Sequence, residues 1–258
     1  RQRYIRGSVT MASQSIMTRG PISASGEPDA VDMTPMQSMA RKMWIPFTVM
    51  GVMIVVVAFL IGLFSLTPTV SDYFDSSKDI RDTAAAGSDI AGDKASIEAT
   101  KAWLPGFKFL GLGLMLGGIT FLLATIIGNL RVAGGNIQRA LGASPQVLKK
   151  PMTGHLFPIF MMMGMMILIA TFIISIWLAT QANDYWDHSI TTELNTATAG
   201  SGLLDDLSTI QATKAWLTPL KFVGMALMFT GIALALATIV QVLRFQARRL
   251  VEIAGGSK

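Results

Sequence analysis

The chain has 258 residues, 51% of them hydrophobic and 14% charged, with a mean hydropathy of +0.50 and a formal net charge of +5. That balance argues against an ordinary soluble domain and fits a membrane protein. There is no cysteine, which excludes a disulfide framework, thiolate-held zinc or iron–sulfur sites and a thiol nucleophile.

Residues 1–43 form a polar arm rich in Ser, Met, Gly and Pro that carries Arg1, Arg3, Arg6, Arg19, Arg41 and Lys42. The arm lacks a short apolar core followed by a small-residue cleavage site, so the first spanning helix is expected to serve as its own insertion signal. Four apolar segments follow, at residues 44–66, 107–130, 157–180 and 217–243. Each exceeds the ~20 residues that cross a ~30 Å hydrocarbon core as a helix. None holds Asp, Glu, Arg or His. The expected fold is an all-α integral membrane protein with four transmembrane helices.

The connections alternate in charge. Asp72, Asp75, Asp79, Asp82, Asp89, Asp93 and Glu98 dominate the first, and Asp184, Asp187, Glu193, Asp205 and Asp206 the third. The middle connection carries Arg131, Arg139, Lys149 and Lys150, and the tail carries Arg244, Arg248, Arg249 and Lys258. Basic residues collect on the cytoplasmic side of membrane proteins. Both termini are therefore expected in the cytoplasm and both acidic loops outside, with the bacterial inner (plasma) membrane as the expected location. The positive charges are split among three membrane-adjacent segments without interleaved aromatic residues, which favours lipid contact over nucleic-acid binding.

A repeat organises the chain. ATKAWL occurs at Ala99 and again at Ala212, and a shift of 113 positions makes nineteen of the thirty-three residues from Ala99 and from Ala212 identical. The exits of the first and third segments also correspond, as Asp72-Tyr73-Phe74-Asp75 and Asp184-Tyr185-Trp186-Asp187. The pattern predicts a tandem duplication of a two-helix hairpin, with repeats at residues 44–143 and 144–258. Each unit begins and ends on the same side, so the two should have parallel topology about a pseudo-twofold axis along the membrane normal. Ahead of each ATKAWL, apolar residues at helical spacing (Ile90 and Ile97; Leu203, Leu207 and Ile210) suggest a short amphipathic helix along the surface. Pro105 and Pro219 then mark a bend into the span. Trp103 and Trp216 are expected at interface depth, with Lys108 and Lys221 snorkelling to the headgroups.

Gly113, Gly117, Thr120 and Ala124 step along one face of the second span, and their counterparts Ala226, Thr230, Ala233 and Ala237 along the fourth. Small residues let helices approach closely in lipid, so the two stripes are expected to pack on each other near the axis. Catalytic chemistry is sparse. His155 and His188 fall on opposite predicted sides, and no GxSxG, P-loop or zinc-protease motif is present. Asp72, Asp75, Asp184 and Asp187 offer a weak oxygen-rich cation site. Met161, Met162, Met165 and Met166 offer a weaker thioether site for a soft metal such as Cu(I), against the simpler reading of adaptable apolar filler. No cofactor is expected beyond lipid contacts. The reading that survives exclusion is a non-catalytic accessory, scaffold or assembly subunit of a larger membrane complex, respiratory or membrane-oxidase in kind, partnered by the bilayer and other membrane subunits. The alternatives are a small oligomeric transporter or channel and a metal-handling membrane protein.

Overall fold

Long apolar runs with few helix breakers fold as helix because the bilayer offers backbone groups no other partner. The computed structural model describes residues 35–146, 148, 151–187, 197–198 and 200–255. Among these residues all regular structure is helical: α1 (Pro35–Ile61), a π turn (Gly62–Leu66), α2 (Thr67–Asp75), α3 (Lys78–Asp82), α4 (Asp89–Ala140), α5 (Met152–Trp186) and α6 (Gly202–Gly255). Four helical segments are long and apolar enough to cross a membrane, α1 running through the π turn into α2 as the first. Most of the N-terminal arm, His188 and Glu193 lie outside the described residues. Residues 35–43 belong to α1, so helix begins well before the apolar segment does.

The π turn has a local cause. Pro68 lacks an amide hydrogen and crowds the carbonyl four residues back, and the ladder widens just ahead of it. The Thr67 hydroxyl donates to the Gly62 carbonyl at 2.8 Å. Pro105 and Pro219, by contrast, sit inside unbroken helices. The amphipathic stretches before ATKAWL are therefore not separate surface helices. At ~1.5 Å per residue, the 52-residue α4 and 54-residue α6 far exceed the ~30 Å core, and their N-terminal turns stay helical because they have a partner. Ile97 and Ile210 are each 1% exposed, and Ile210 and Leu217 pack with Leu178 and Tyr185 at the C-terminal end of α5.

Two pairs of helices meet at glycines. A Cβ on Gly51 would lie 2.6 Å from the Met115 amide nitrogen and 2.7 Å from the Gly111 carbonyl oxygen, so α1 and α4 touch backbone to backbone. A Cβ on Gly164 would lie 2.6 Å from Met228 Cγ and 2.7 Å from the Gly224 carbonyl oxygen, and α5 and α6 are equally close. Gly111 faces Ile54 and Val55, while Gly224 faces Ile167 and Leu168. Gly118 abuts Trp44 and Thr48, while Gly231 abuts Phe157 and Met161. In every case the second set of residues is the first moved along by 113 positions.

The pairs join asymmetrically. α4 packs on α1, α5 and α6, whereas α1 and α6 share no packed interface among the described residues. As a result 50% of the most apolar stretch of α4 is buried, against 11% for the first span. At the other end of α4, Gly142 (φ +77°) takes the left-handed conformation that ends helices, and its amide donates to the Arg139 carbonyl at 3.0 Å. Gln138 then clasps the following loop, its side-chain carbonyl accepting from the Gln146 amide at 2.7 Å. The Gln246 side-chain amide donates to the Leu130 carbonyl and ties α6 to α4.

Candidate functional site: an apolar cavity and an ion cluster at opposite ends

A cavity of about 360 Å³ lies between α1, α4 and α5 on the Arg131 side, reached also by Thr238 and Val242 of α6. Gly117, Thr120 and Ala124 line it from α4, and Met161, Met162, Met165 and Met166 from α5. The space exists because short side chains on one helix face long, unbranched ones on the other. Gln37 and Ala40 contribute from α1, and among the described residues Arg131 is the one charged residue that lines the cavity, with no acidic one. The Thr120 and Thr238 hydroxyls donate to the Leu116 and Leu234 carbonyls, at 3.0 and 2.9 Å. Arg131 differs, because its Nε is buried with no hydrogen-bond partner among the described residues.

At the acidic end the two ATKAWL lysines converge on one carboxylate. Glu98 lies 3.1 Å from Lys214, 3.4 Å from Lys101 and 3.8 Å from Lys94. Burial by itself would raise the pKa of Glu98, but the hydrogen bond from Lys214 and the charges of Lys214, Lys101 and Lys94 outweigh it and hold the carboxyl below the usual range. Glu98 precedes the apolar segment starting at 107 by nine residues, so the cluster lies outside that segment. The position aligned with Glu98 is Gln211, so a single acid serves both lysines. Aromatic residues of the two acidic-aromatic tetrapeptides complete the cluster. Lys94 Nζ lies 4.8 Å from the Trp186 ring centroid and 5.5 Å from that of Tyr73, and Arg81 Cζ lies 4.7 Å above Phe74, geometry that favours cation–π attraction.

Replacing Glu98 with Gln is expected to cost about 1–2 kcal/mol, a fall of roughly 2–8 °C in the melting temperature in detergent. The pH dependence has a definite sign. A carboxylate with a depressed folded-state pKa stabilises fully above its unfolded value of about 4.3, and that stabilisation is lost as pH falls through the folded value. The gap between wild type and Glu98→Gln should therefore be constant from neutral pH down to about 5 and close below about 4. An equal gap at every pH would assign the loss to packing.

Several expected positions need correction. The small-residue stripes do not pack on each other within the chain. The α4 stripe faces α5 and α1, with a Cβ on Gly113 falling against Leu168 and one on Gly117 lying 3.3 Å from Phe47 and 3.4 Å from Met165. On α6 the packed face is Gly224, Met228, Gly231, Ala235 and Thr238, while Ala226, Thr230 and Ala233 are exposed and Ala237 is half-buried. Lys221 is 5% exposed and does not snorkel, because it stands one turn from both Leu217 and Gly224 on that packed face. Its counterpart Lys108 is exposed, Trp216 is exposed, and Trp103 is half-buried against the outer core cluster. Asp72, Asp75, Asp184 and Asp187 are all exposed. No three of them come together as metal ligands, and no other group of three His, Cys, Asp or Glu does so among the described residues. Met161 is buried and Met165 half-buried, while Met162 and Met166 are exposed, and all four form one wall of the cavity. Sequence reasoning missed Arg131 as a cavity residue and Glu98 as the hub of the ion cluster.

No family model matches this chain, and no curated protein or solved structure matches it either.

Proposed function

We propose that the chain is a non-catalytic accessory or assembly subunit of a larger membrane complex, respiratory or membrane-oxidase in kind. In this reading it is a duplicated helical hairpin with both termini in the cytoplasm of a bacterial cell and the acidic loops outside. The recurrence of the glycine contacts at a spacing of 113 residues supports the duplication.

The observation that carries the functional reading is an uncovered helix face. The stripe holding Gly113 and Gly117 on α4 is covered by Leu168 and Met165 of α5. The aligned stripe on α6 is bare at Ala226, Thr230 and Ala233. The first span adds Met53, Phe59 and Phe64, exposed by 57, 62 and 72%. In lipid an apolar face alone needs no partner, but a small-residue face permits a backbone approach that acyl chains do not exploit. A further helix fits α6 as α5 fits α4. The test is purification from native membranes in mild detergent, in which the chain is expected to run with at least one other helix-bearing protein.

A transport reading has one observation in its favour. Lys221 is a buried cation within a spanning segment, and such residues commonly mark substrate or ion pathways. It lies only four residues past Leu217, about 6 Å along the helix, which is shallow for a coupling site and keeps this reading second. Ion or solute flux into liposomes that is lost in Lys221→Met would reverse the order.

A further inference from the structure

We propose that the cavity between α1, α4 and α5 holds the acyl chain of an anionic phospholipid, with its phosphodiester against Arg131. The inference is independent of the assembly reading, since the cavity is formed within one chain.

Volume, shape and polarity agree on this class of ligand. A cavity of about 360 Å³ falls within the ~300–1,000 Å³ range of small-molecule sites. Its lining on α4 runs from Gly117 to Arg131, fourteen residues or roughly 21 Å of helix. That covers the depth of one leaflet, half of the ~30 Å core, and suits an extended chain better than a compact ring system. The methionine wall is unbranched and torsionally soft, able to follow chains of differing saturation.

The head end is as specific as the tail. The threonine hydroxyls on the walls are engaged by backbone carbonyls of their own helices, and no carboxylate among the described residues lines the cavity. The buried Arg131 Nε therefore has no acceptor among the described residues. Arg131 as a whole is half-buried; a buried N–H without an acceptor is costly, and a phosphodiester oxygen supplies a charge-assisted partner. Arg131 sits at the inner end of its span, where lipid headgroups lie. The aligned arginine, Arg244, is exposed and does not line the cavity, so it carries the same charge without the site.

The test uses the full chain in detergent, incubated with mixed micelles containing equal amounts of phosphatidylglycerol and phosphatidylcholine of identical chains, with bound lipid read by native mass spectrometry. Wild type should retain phosphatidylglycerol over phosphatidylcholine by a factor on the order of ten. Arg131→Gln should bring the two near parity, and Arg244→Gln should leave the preference intact. Met162→Trp, at a residue 69% exposed on the cavity wall, should lower retention of both lipids without changing the elution volume of the protein. Absence of a preference in wild type, equal effects of the two arginine variants, or unchanged retention in Met162→Trp would each overturn the proposal. A neutral prenyl lipid retained from native membranes in place of phospholipid would do the same.

Discussion

Replacing Gly164 with leucine is expected to separate α5 from α6 and leave no folded second hairpin. The cause is the absence of room for even one methyl group: a Cβ there meets the Gly224 carbonyl oxygen at 2.7 Å and Met228 Cγ at 2.6 Å. The side chain of Met228 can swing away, but the backbone of α6 cannot yield without moving the helix. Overpacking a well-filled core costs ~1–3 kcal/mol even where side chains adjust. A backbone clash multiplied over a leucine side chain exceeds that, against total stabilities of ~5–15 kcal/mol. Gly51→Leu should do the same to α1 and α4, where the Met115 amide and the Gly111 carbonyl occupy the equivalent positions. Gly92→Ala provides the contrast. A Cβ there meets nothing within 4 Å, and alanine is the better helix former by ~1 kcal/mol, so that variant should melt at or above wild type. Fluorescence-detected size exclusion after heating would check all three; a Gly164→Leu protein that elutes and melts like wild type would remove the glycine contact as the basis of hairpin packing.

Replacing Thr230 with leucine is expected to have the opposite profile, a folded chain that loses its partner. Thr230 is exposed, and its hydroxyl donates only to the Ala226 carbonyl of its own helix at 2.8 Å. Nothing among the described residues resists a larger side chain there. A helix approaching the Ala226, Thr230 and Ala233 face would be pushed outward by it, as α5 would be by a large residue at Gly113. Co-purification should fall at least tenfold, the yield expected from the loss of ~1.4 kcal/mol or more of association energy. The melting temperature of the isolated chain should stay within about 2 °C of wild type, as surface substitutions usually do. Gly117→Leu is intermediate, because the neighbours of Gly117 are the side chains of Phe47 and Met165, both able to shift.

The four spans were plain in the sequence because hydropathy over twenty residues leaves little choice in lipid. Which face of each span packs was legible too, in a signal the small-residue pattern obscured. Glycines identical in both halves, Gly111 with Gly224 and Gly118 with Gly231, are the ones that pack within each hairpin. Gly113 and Gly117 differ from the aligned Ala226 and Thr230, and there the α4 residue is covered and the α6 residue bare. Lys108 and Lys221, in contrast, are the same residue at aligned positions and each is followed by Phe, yet one is exposed and the other buried. Local pattern cannot separate them, because the difference arises from which helix stands opposite. The same holds for Arg131 and Arg244, and for the convergence of Lys101 and Lys214 on Glu98, which joins residues 116 positions apart.

The most direct measurement is site-specific photo-crosslinking at Thr230 in native membranes, followed by mild-detergent purification and mass spectrometry. Use of the bare α6 face by a larger assembly predicts a discrete adduct to one further membrane protein, absent when the crosslinker is moved to Ile173, a large residue of α5 that is 61% exposed. A chain that purifies alone, with lipid as the only adduct at both positions, would contradict its role as a subunit.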